Sequence, residues 1–436
     1  MSVERNKLSK NILSLGVVQI ANYILPLISV PIISRIIGPE KFGLIDFMAS
    51  FITYFTLLIG FGFDFSATRI ISQNTGDKEI INSTFSKVFY CQIILFVISL
   101  GIFILCLSFM PQLQSQKMLA AFTFTICIAT LLTQNWLYQA MQDLQLVAIF
   151  NLLSKIIFII TLLLVVRNKE DYIWQPLILG GVQIVISIGS FCYAIKRYKI
   201  AFTKFSLIEC FKLLKSESII FFSIVVVNLY TTTNVVILGF YHKGAETAFF
   251  TSGQKLIIIA QSILVMPLMQ ALYPYIGKAF AEDHRTGLES AKKFLPGIII
   301  LTATAGFGMY LLGPLFISLF YGPAFLPSAS VFQIMVFIPM LVAINYFLGI
   351  NIMLNLKMDR IYFIITASAA LVSVLLNFIL IPDMGAQGSA IIWVLTELII
   401  SFLMYFVLLS KNVNMFDLRY WRFSFLKGFL GNFKQH

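Results

Sequence analysis

The chain has 436 residues, 59% of them hydrophobic and 11% charged, with a formal net charge of +12. No water-soluble fold could hide that much apolar surface, and no polar stretch is long enough for a separate soluble domain. The basic excess does not point to nucleic acid, because lysine and arginine flank membrane helices on their cytoplasmic side.

Windows of 18 or more mostly apolar residues recur along the whole chain, which is the pattern of a multi-pass membrane protein. Twelve helices are expected, near residues 12–34, 43–63, 86–110, 118–139, 146–166, 175–195, 218–240, 249–276, 295–320, 329–354, 361–382 and 386–410. Twenty residues at about 1.5 Å each cross the roughly 30 Å hydrocarbon core. The basic start, MSVERNKLSKN, runs straight into the first apolar segment without a small-residue cleavage site, so a retained helix is expected.

The first two helices flank a polar elbow at Arg35–Phe42. Pro26 and Pro31 lie in the first, and a kink or unwinding is expected there, because proline removes a backbone donor and crowds the preceding turn. In lipid such a break is tolerated only against protein or a water-filled space. The second helix ends at Gly60-Phe61-Gly62-Phe63-Asp64, followed by Arg69.

Orientation follows from the basic residues. With the N-terminus inside, 23 of the 31 Lys and Arg fall in inner segments, six in outer loops, and Lys155 and Lys255 within helices. Both termini are therefore expected in the cytoplasm. The basic stretch 196–217 is expected to be a linker helix on the inner surface, between an N-terminal lobe (1–195) and a C-terminal lobe (218–410). A basic, aromatic cytoplasmic tail follows over 411–436. Both basic stretches suit anchoring to membrane lipid, with recognition of a partner or an anionic head group as the alternative.

Six helices per half make both halves enter from the same side, so a parallel repeat is expected. Its marker is Ile37-Gly38 before Pro39-Glu40-Lys41-Phe42-Gly43 in one half, and Leu238-Gly239 before Lys243-Gly244-Ala245-Glu246 in the other.

Charges inside the membrane are costly, about 2.5–3.5 kcal/mol for a central lysine or arginine on insertion scales. Lys155 and Lys255 are therefore candidates to face a cavity and attract an anionic substrate, with snorkelling to the interface as the alternative. Arg35 and Arg69 sit nearer the boundaries, where anchoring competes. Gln19, Asn22 and Asn234 belong to a polar set suited to sugar hydroxyls, although amides also join helices. Glu397, mid-way along the last helix, and Asp64 are candidates for coupling to H⁺ or Na⁺; a neutral glutamic acid hydrogen-bonded between helices and a simple cap are the alternatives.

The five cysteines (Cys91, Cys106, Cys127, Cys192, Cys210) have no metal-ligand spacing and are expected to be small buried residues rather than a disulfide or metal site. There is no G-x-x-x-x-G-K-[ST] phosphate loop, and His242, His284 and His436 all lie outside the expected helices. No cofactor and no catalytic histidine base is expected. Short outer loops leave little room for a catalytic domain.

The chain resembles the Wzx-type flippases of O-antigen and capsule biosynthesis, within the multidrug/oligosaccharidyl-lipid/polysaccharide exporter superfamily. At the front the resemblance rests on Asn22-Tyr23, Pro26-Leu27, Pro31, Arg35, Gly38, Glu40, Phe42-Gly43, Gly62-Phe63 and Ser66-Ala67-Thr68-Arg69. Further on it rests on Gln254-Lys255-Leu256, Ala271-Leu272-Tyr273-Pro274, Phe320-Tyr321-Gly322, Gly385-Ala386-Gln387-Gly388 and Glu397. It implies an all-α integral membrane protein with two six-helix lobes forming a V around a central, cationic cavity that opens alternately to each side. It implies a transporter rather than an enzyme, in the bacterial inner membrane. The implied substrate is an oligosaccharide repeat unit on undecaprenyl diphosphate, moved from the cytoplasmic to the periplasmic leaflet. A polymerase and a chain-length regulator are the implied partners. The readings that compete are a cation-coupled multidrug exporter of the same superfamily and a membrane polysaccharide polymerase.

Overall fold

The computed structural model describes residues 2–204 and 206–421, with side chains for 29–204, 206–417 and 419–421. It is all-helical and divides into two compact units, Met1–Val225 and Val226–His436.

Unit 1 begins with α1 (Ser2–Gly60) and continues through α2 (Phe63–Ser72), α3 (Lys78–Phe109), the single turn α4 (Pro111–Gln114), α5 (Lys117–Leu132), α6 (Asn135–Ala140), α7 (Leu144–Val165) and α8 (Trp174–Tyr198). The unit boundary falls within α9 (Leu207–Thr231). Unit 2 continues with α10 (Thr233–Tyr241), α11 (Gly244–Leu264), α12 (Met266–Glu282), α13 (His284–Tyr321), α14 (Ser328–Met335), α15 (Ile338–Tyr346), a π-helical stretch Phe347–Met353, and α16 (Asp359–Ser410).

Among the described residues, nine helical segments are long and apolar enough to cross a membrane, and the bent pair α9–α10 makes a tenth. Two of these are too long for one crossing. The 52 residues of α16 would reach about 78 Å at 1.5 Å per residue, far beyond the hydrocarbon core. It is divided at Gly385 (φ 53°, ψ −130°), as α1 is at Gly38 (φ 74°, ψ 171°). Dividing both gives twelve crossings. Exterior side chains such as Phe109, Val185, Ile219 and Leu319 are exposed and apolar, as lipid-facing residues should be.

The elbow expected over Arg35–Phe42 is made at Gly38; the kink expected from Pro26 and Pro31 leaves no break, since both prolines stay within helix, and Ser34 Oγ donates back to the Pro31 carbonyl at 3.1 Å. Glycine takes the left-handed conformation at Gly38 without a Cβ penalty. The separate linker helix expected over 196–217 is not seen as such. Its residues form the end of α8, a non-helical stretch, and the first half of α9, which runs on without interruption. The tail forms a short 3₁₀ turn at Leu418–Trp421, and the remainder lies outside the described residues. There the Arg419 guanidinium holds the Asp417 carboxyl down at about 2.

The cysteine expectation is corrected at one pair. Cys91 and Cys210 are joined as a disulfide that ties α3 to the start of α9, their Cα atoms 5.6 Å apart. Both are buried in the unit 1 core with Phe85, Val88 and Trp136. The two are 119 residues apart in sequence, and pairing over that distance has no local signature. Cys106, Cys127 and Cys192 are free.

The two units repeat one pattern. In each, the second crossing is broken, at Phe61–Gly62 in unit 1 and at Val265 in unit 2. In each, the fourth is broken too, at Thr133–Gln134 and at Val336–Phe337. In each, the turn after the first crossing packs against the turn before the sixth. Lys41 Nζ lies 4.4 Å over the Tyr172 ring and 3.9 Å from Glu170 in unit 1. In unit 2 the Glu246 carboxylate accepts the Ala386 N–H at 2.9 Å, and a His242 ring nitrogen bonds the Ile381 carbonyl at 2.7 Å. The sequence register of the repeat differs from that expected. Gly239 is inside α10, and the turn matching Gly38 falls at His242–Lys243.

The Gly385 turn tests this description. Its φ is left-handed, and an added Cβ would lie 2.7 Å from the Glu246 carboxylate oxygen. Gly385→Ala is expected to destabilise the protein by about 1–3 kcal/mol, read as a lowered thermal unfolding midpoint in detergent. An unchanged midpoint would show that the Glu246–Ala386 contact does not hold this turn.

Candidate functional site

The structure places one polar cavity of about 730 Å³ inside unit 1. All six crossings of the unit contribute to it, and two of its walls are the broken ones. At the first break, Phe61 (φ 45°) and Gly62 (φ 78°) leave the helical path. The chain restarts as α2, with Asp64 in its first turn facing the cavity. A carboxylate there is favoured by the unpaired N–H groups of a helix start. Glycine is needed at Gly62 both for its φ and because an added Cβ would meet Ile220 Cγ2 at 2.8 Å. At the second break α5 gives way to α6, which brings Thr133, Asn135 and Gln139 to the wall. Behind it, Trp136 Nε1 donates to Gln134 Oε1 at 2.6 Å, and Gln134 Nε2 donates to Gln92 Oε1 at 3.0 Å. This chain of bonds holds the interrupted helix in place.

α7 presents a stripe at helical spacing: Asn151, Ser154, Lys155, Phe158 and Ile159. α8 presents another, with Leu179, Gln183, Ile186, Ser187 and Ser190. Thr133 and Ser187 hydroxyls bond each other at 2.6 Å, and Tyr138 OH donates to the Ser190 carbonyl at 2.6 Å. Lys155 lies mid-way along α7, eleven residues from Leu144 and ten from Val165. That is about 15–16 Å from either end, further than a four-carbon stem reaches. The snorkelling alternative is thereby weakened for this lysine, because α7 begins earlier than its apolar run suggests.

The candidates read from the sequence separate into groups. Lys155 and Asp64 come together on the cavity wall. Arg35 and Arg69 are exposed near helix ends and do not line it. The side chains of Gln19 and Asn22 lie outside the described residues. Lys255 is half-buried on α11 in unit 2, away from this cavity. Asn234 is buried and joins helices. Its Nδ2 donates to the Ser389 carbonyl at 3.4 Å, and its Oδ1 accepts from Asn377 Nδ2 at 2.7 Å.

Glu397 is buried in unit 2, where Asn345 Nδ2 donates to its Oε2 at 2.8 Å and to its backbone carbonyl at 3.0 Å. Ser401 Oγ donates to Asn345 Oδ1 at 2.6 Å. Asn345 sits one residue from the end of α15, next to the π-helical stretch, a geometry often found at functional sites.

Among the described residues, the unit 1 cavity carries one cation and one anion, Lys155 and Asp64, amid amides and hydroxyls. Gln92, Asn151, Ser154, Gln183, Ser187 and Ser190 were not among the residues singled out. Except for Gln92 on α3, their signal was present in the sequence as the polar i, i+3, i+4 stripes of two apolar segments.

The Glu397 network predicts a graded response. Glu397→Gln keeps an acceptor for Asn345 and should hold stability within about 1 kcal/mol of the parent. Glu397→Ala strips one partner from a buried amide and should cost about 1–3 kcal/mol. Thermal unfolding of both variants in detergent checks this; equal losses would mean that the hydrogen bond is not what Glu397 contributes.

A family model described as polysaccharide biosynthesis protein matches residues 8–280. The chain is 26% identical over 405 residues to a protein of Escherichia coli (strain K12) provisionally described as an O-antigen transporter, covering 93% of this chain and 97% of that one. A Shigella dysenteriae protein of the same description is 26% identical over 404 residues, covering 90% and 98%. Among solved structures, the lipid II flippase MurJ in an inward closed conformation has a TM-score of 0.73 at 16% identity, covering 94% of this chain and 89% of that one. An inward-facing multidrug resistance transporter of the MATE family, in the MOP superfamily, has a TM-score of 0.68 at 16% identity, covering 92% and 98%. At such identities the two structures show a shared fold. The family match extends over more than half of the chain, across the whole of unit 1 and the first helices of unit 2, and the chain belongs to the polysaccharide biosynthesis protein family.

Proposed function

We propose that this protein is a flippase for lipid-linked oligosaccharides. It moves repeat units on undecaprenyl diphosphate from the cytoplasmic to the periplasmic leaflet of the bacterial inner membrane, for O-antigen or capsule assembly. The observation that carries this reading is the polar cavity within a membrane-spanning unit, walled by two broken helices and by a lysine too deep to reach either end of α7. A polar head group cannot cross hydrocarbon unaided, and a polar space inside the helix bundle supplies the groups that replace water. The prenyl tail stays in lipid. Family membership and relatives described as O-antigen transporters support the glycan as cargo.

Movement is by alternating access of the two units, with both termini cytoplasmic, as the inner bias of Lys and Arg favours. An H⁺ or Na⁺ gradient drives it through Asp64, on the cavity wall, or Glu397, buried beside Asn345. A polymerase and a chain-length regulator act on the product. A second reading, export of a cationic drug, draws on Asp64, whose carboxylate lines the same cavity. It requires that deletion of the gene sensitise cells to cationic dyes while surface glycan stays normal.

The deciding measurement is the sidedness of lipid-linked repeat units in spheroplasts, probed with an impermeant lectin or glycosidase. Deletion should leave the units unreachable from outside. Units that are reachable but unpolymerised would make the protein act after translocation, as a polymerase would. With the gene restored as Lys155→Ala, the outward rate should fall about tenfold at unchanged protein level, equivalent to about 1.4 kcal/mol. An unchanged rate would remove Lys155 from the path.

A further inference from the structure

We infer that the unit 1 cavity is the seat of the sugar residues of the substrate, and that the diphosphate binds elsewhere. This rests on the translocation reading above and identifies which part of the cargo this cavity takes.

Charge comes first. A diphosphate carries two or more negative charges and is held by several cations or by a cradle of backbone N–H groups. Among the described residues the cavity offers one cation, Lys155, and sets the Asp64 carboxylate in the same wall. A carboxylate repels a diphosphate. It suits a sugar, because its two oxygens accept from adjacent hydroxyls. An ammonium in the same cavity donates to ring and hydroxyl oxygens.

The neutral groups point the same way. Asn135, Gln139, Asn151, Ser154 and Gln183 line the cavity, and their side chains make no hydrogen bond among the described residues. They contrast with Gln134, Thr133 and Ser187, whose hydrogen bonds are internal to the wall. Four such amides, each with donors and an acceptor, match the mixed donor–acceptor edge of a sugar or of an N-acetyl group. Phosphate oxygens only accept, so half of the capacity of these amides would be wasted on them.

Shape agrees as well. Phe65, Phe150 and Phe158 join the wall, giving flat apolar faces on which the C–H face of a pyranose can lie. The volume of about 730 Å³ falls within the range of about 300–1,000 Å³ of small-molecule sites. It admits a short glycan and no prenyl chain. Lys155 thus orients a sugar rather than neutralising a phosphate.

The test uses the full-length protein in lipid nanodiscs. The probe is the oligosaccharide released by mild acid from the lipid-linked units of gene-deleted cells, which carries neither phosphate nor prenyl chain. Binding is followed by equilibrium dialysis, with inorganic pyrophosphate as competitor. The oligosaccharide should bind, and pyrophosphate should not displace it. Gln139→Ala, Asn151→Ala and Asp64→Asn should each weaken binding about tenfold with the unfolding midpoint unchanged. A variant with a lowered midpoint is set aside in favour of the other two. Failure of the oligosaccharide to bind, its displacement by pyrophosphate, or binding that the folded variants leave intact would overturn the inference. The spheroplast measurement separates the two levels. Units trapped inside in deleted cells uphold translocation whatever the dialysis shows, whereas units reachable outside remove the translocation reading itself.

Discussion

Backbone N–H and C=O groups cannot be left unpaired in hydrocarbon, and this constraint shapes everything else in the molecule. A helix satisfies them by itself, which explains why the described chain is helical apart from short turns and connections. Every interruption must then be placed where something else can do the pairing. The breaks at Phe61–Gly62 and Thr133–Gln134 meet that condition in unit 1. At the first, Phe61 N–H still donates to the Leu57 carbonyl at 2.9 Å and Phe65 N–H to the Gly62 carbonyl at 3.1 Å; at the second, Gln134 Nε2 donates to the Leu131 carbonyl at 2.8 Å and Thr68 Oγ1 to the Trp136 carbonyl at 3.2 Å. The same breaks turn Asp64, Asn135 and Gln139 toward a shared cavity. The cavity is the place where interrupted helices can be tolerated, and the interruptions deliver its polar groups.

Most of the architecture was legible because hydropathy and length are one-dimensional signals. The twelve segments, the elbow between the first two, and the turn before Gly385-Ala386-Gln387-Gly388 all correspond to features in the chain. What was not legible depends on contacts between distant residues. The proline pair suggested a kink in the first helix, yet helical backbone runs through both and ends only at Gly38, within the expected elbow. Gly239 looked like the partner of Gly38, yet the chain runs on for one more turn to His242 before it bends, because the matching turn is anchored by Glu246 and His242 on α16. The Cys91–Cys210 bond joins residues with no common motif.

The candidate site shows the same division. Lys155 was visible as a charge inside the fifth crossing, expected over 146–166 and found at Leu144–Val165, but the cavity it lines was not, because that depends on helices distant in sequence. Asn234 was visible as a polar residue in an apolar segment, and only the fold shows its amide engaged by Asn377 and Ser389. A polar side chain in a membrane helix has two ways to be satisfied, by a neighbouring helix or by the contents of a cavity, and sequence spacing alone does not separate them. The stripes on α7 and α8 do carry that information when read together. Several polar groups on one face of each of two consecutive helices exceed what a single helix contact can satisfy.

The repeat makes this contrast sharp. Both units break the same two crossings, yet they use the result differently. In unit 2, Asn345 near the end of α15 is committed to Glu397 and Ser401, and Asn234 to Asn377 and Ser389. In unit 1 the amides of Asn135, Gln139, Asn151 and Gln183 line a cavity and make no side-chain hydrogen bond among the described residues. Satisfied amides bind helices together and define one packing; unsatisfied ones, grouped around a space, define a ligand. A backbone plan used twice can therefore give one unit whose polar groups hold it together and another whose polar groups await cargo. The difference lies in the side chains that each unit sets inside its helices.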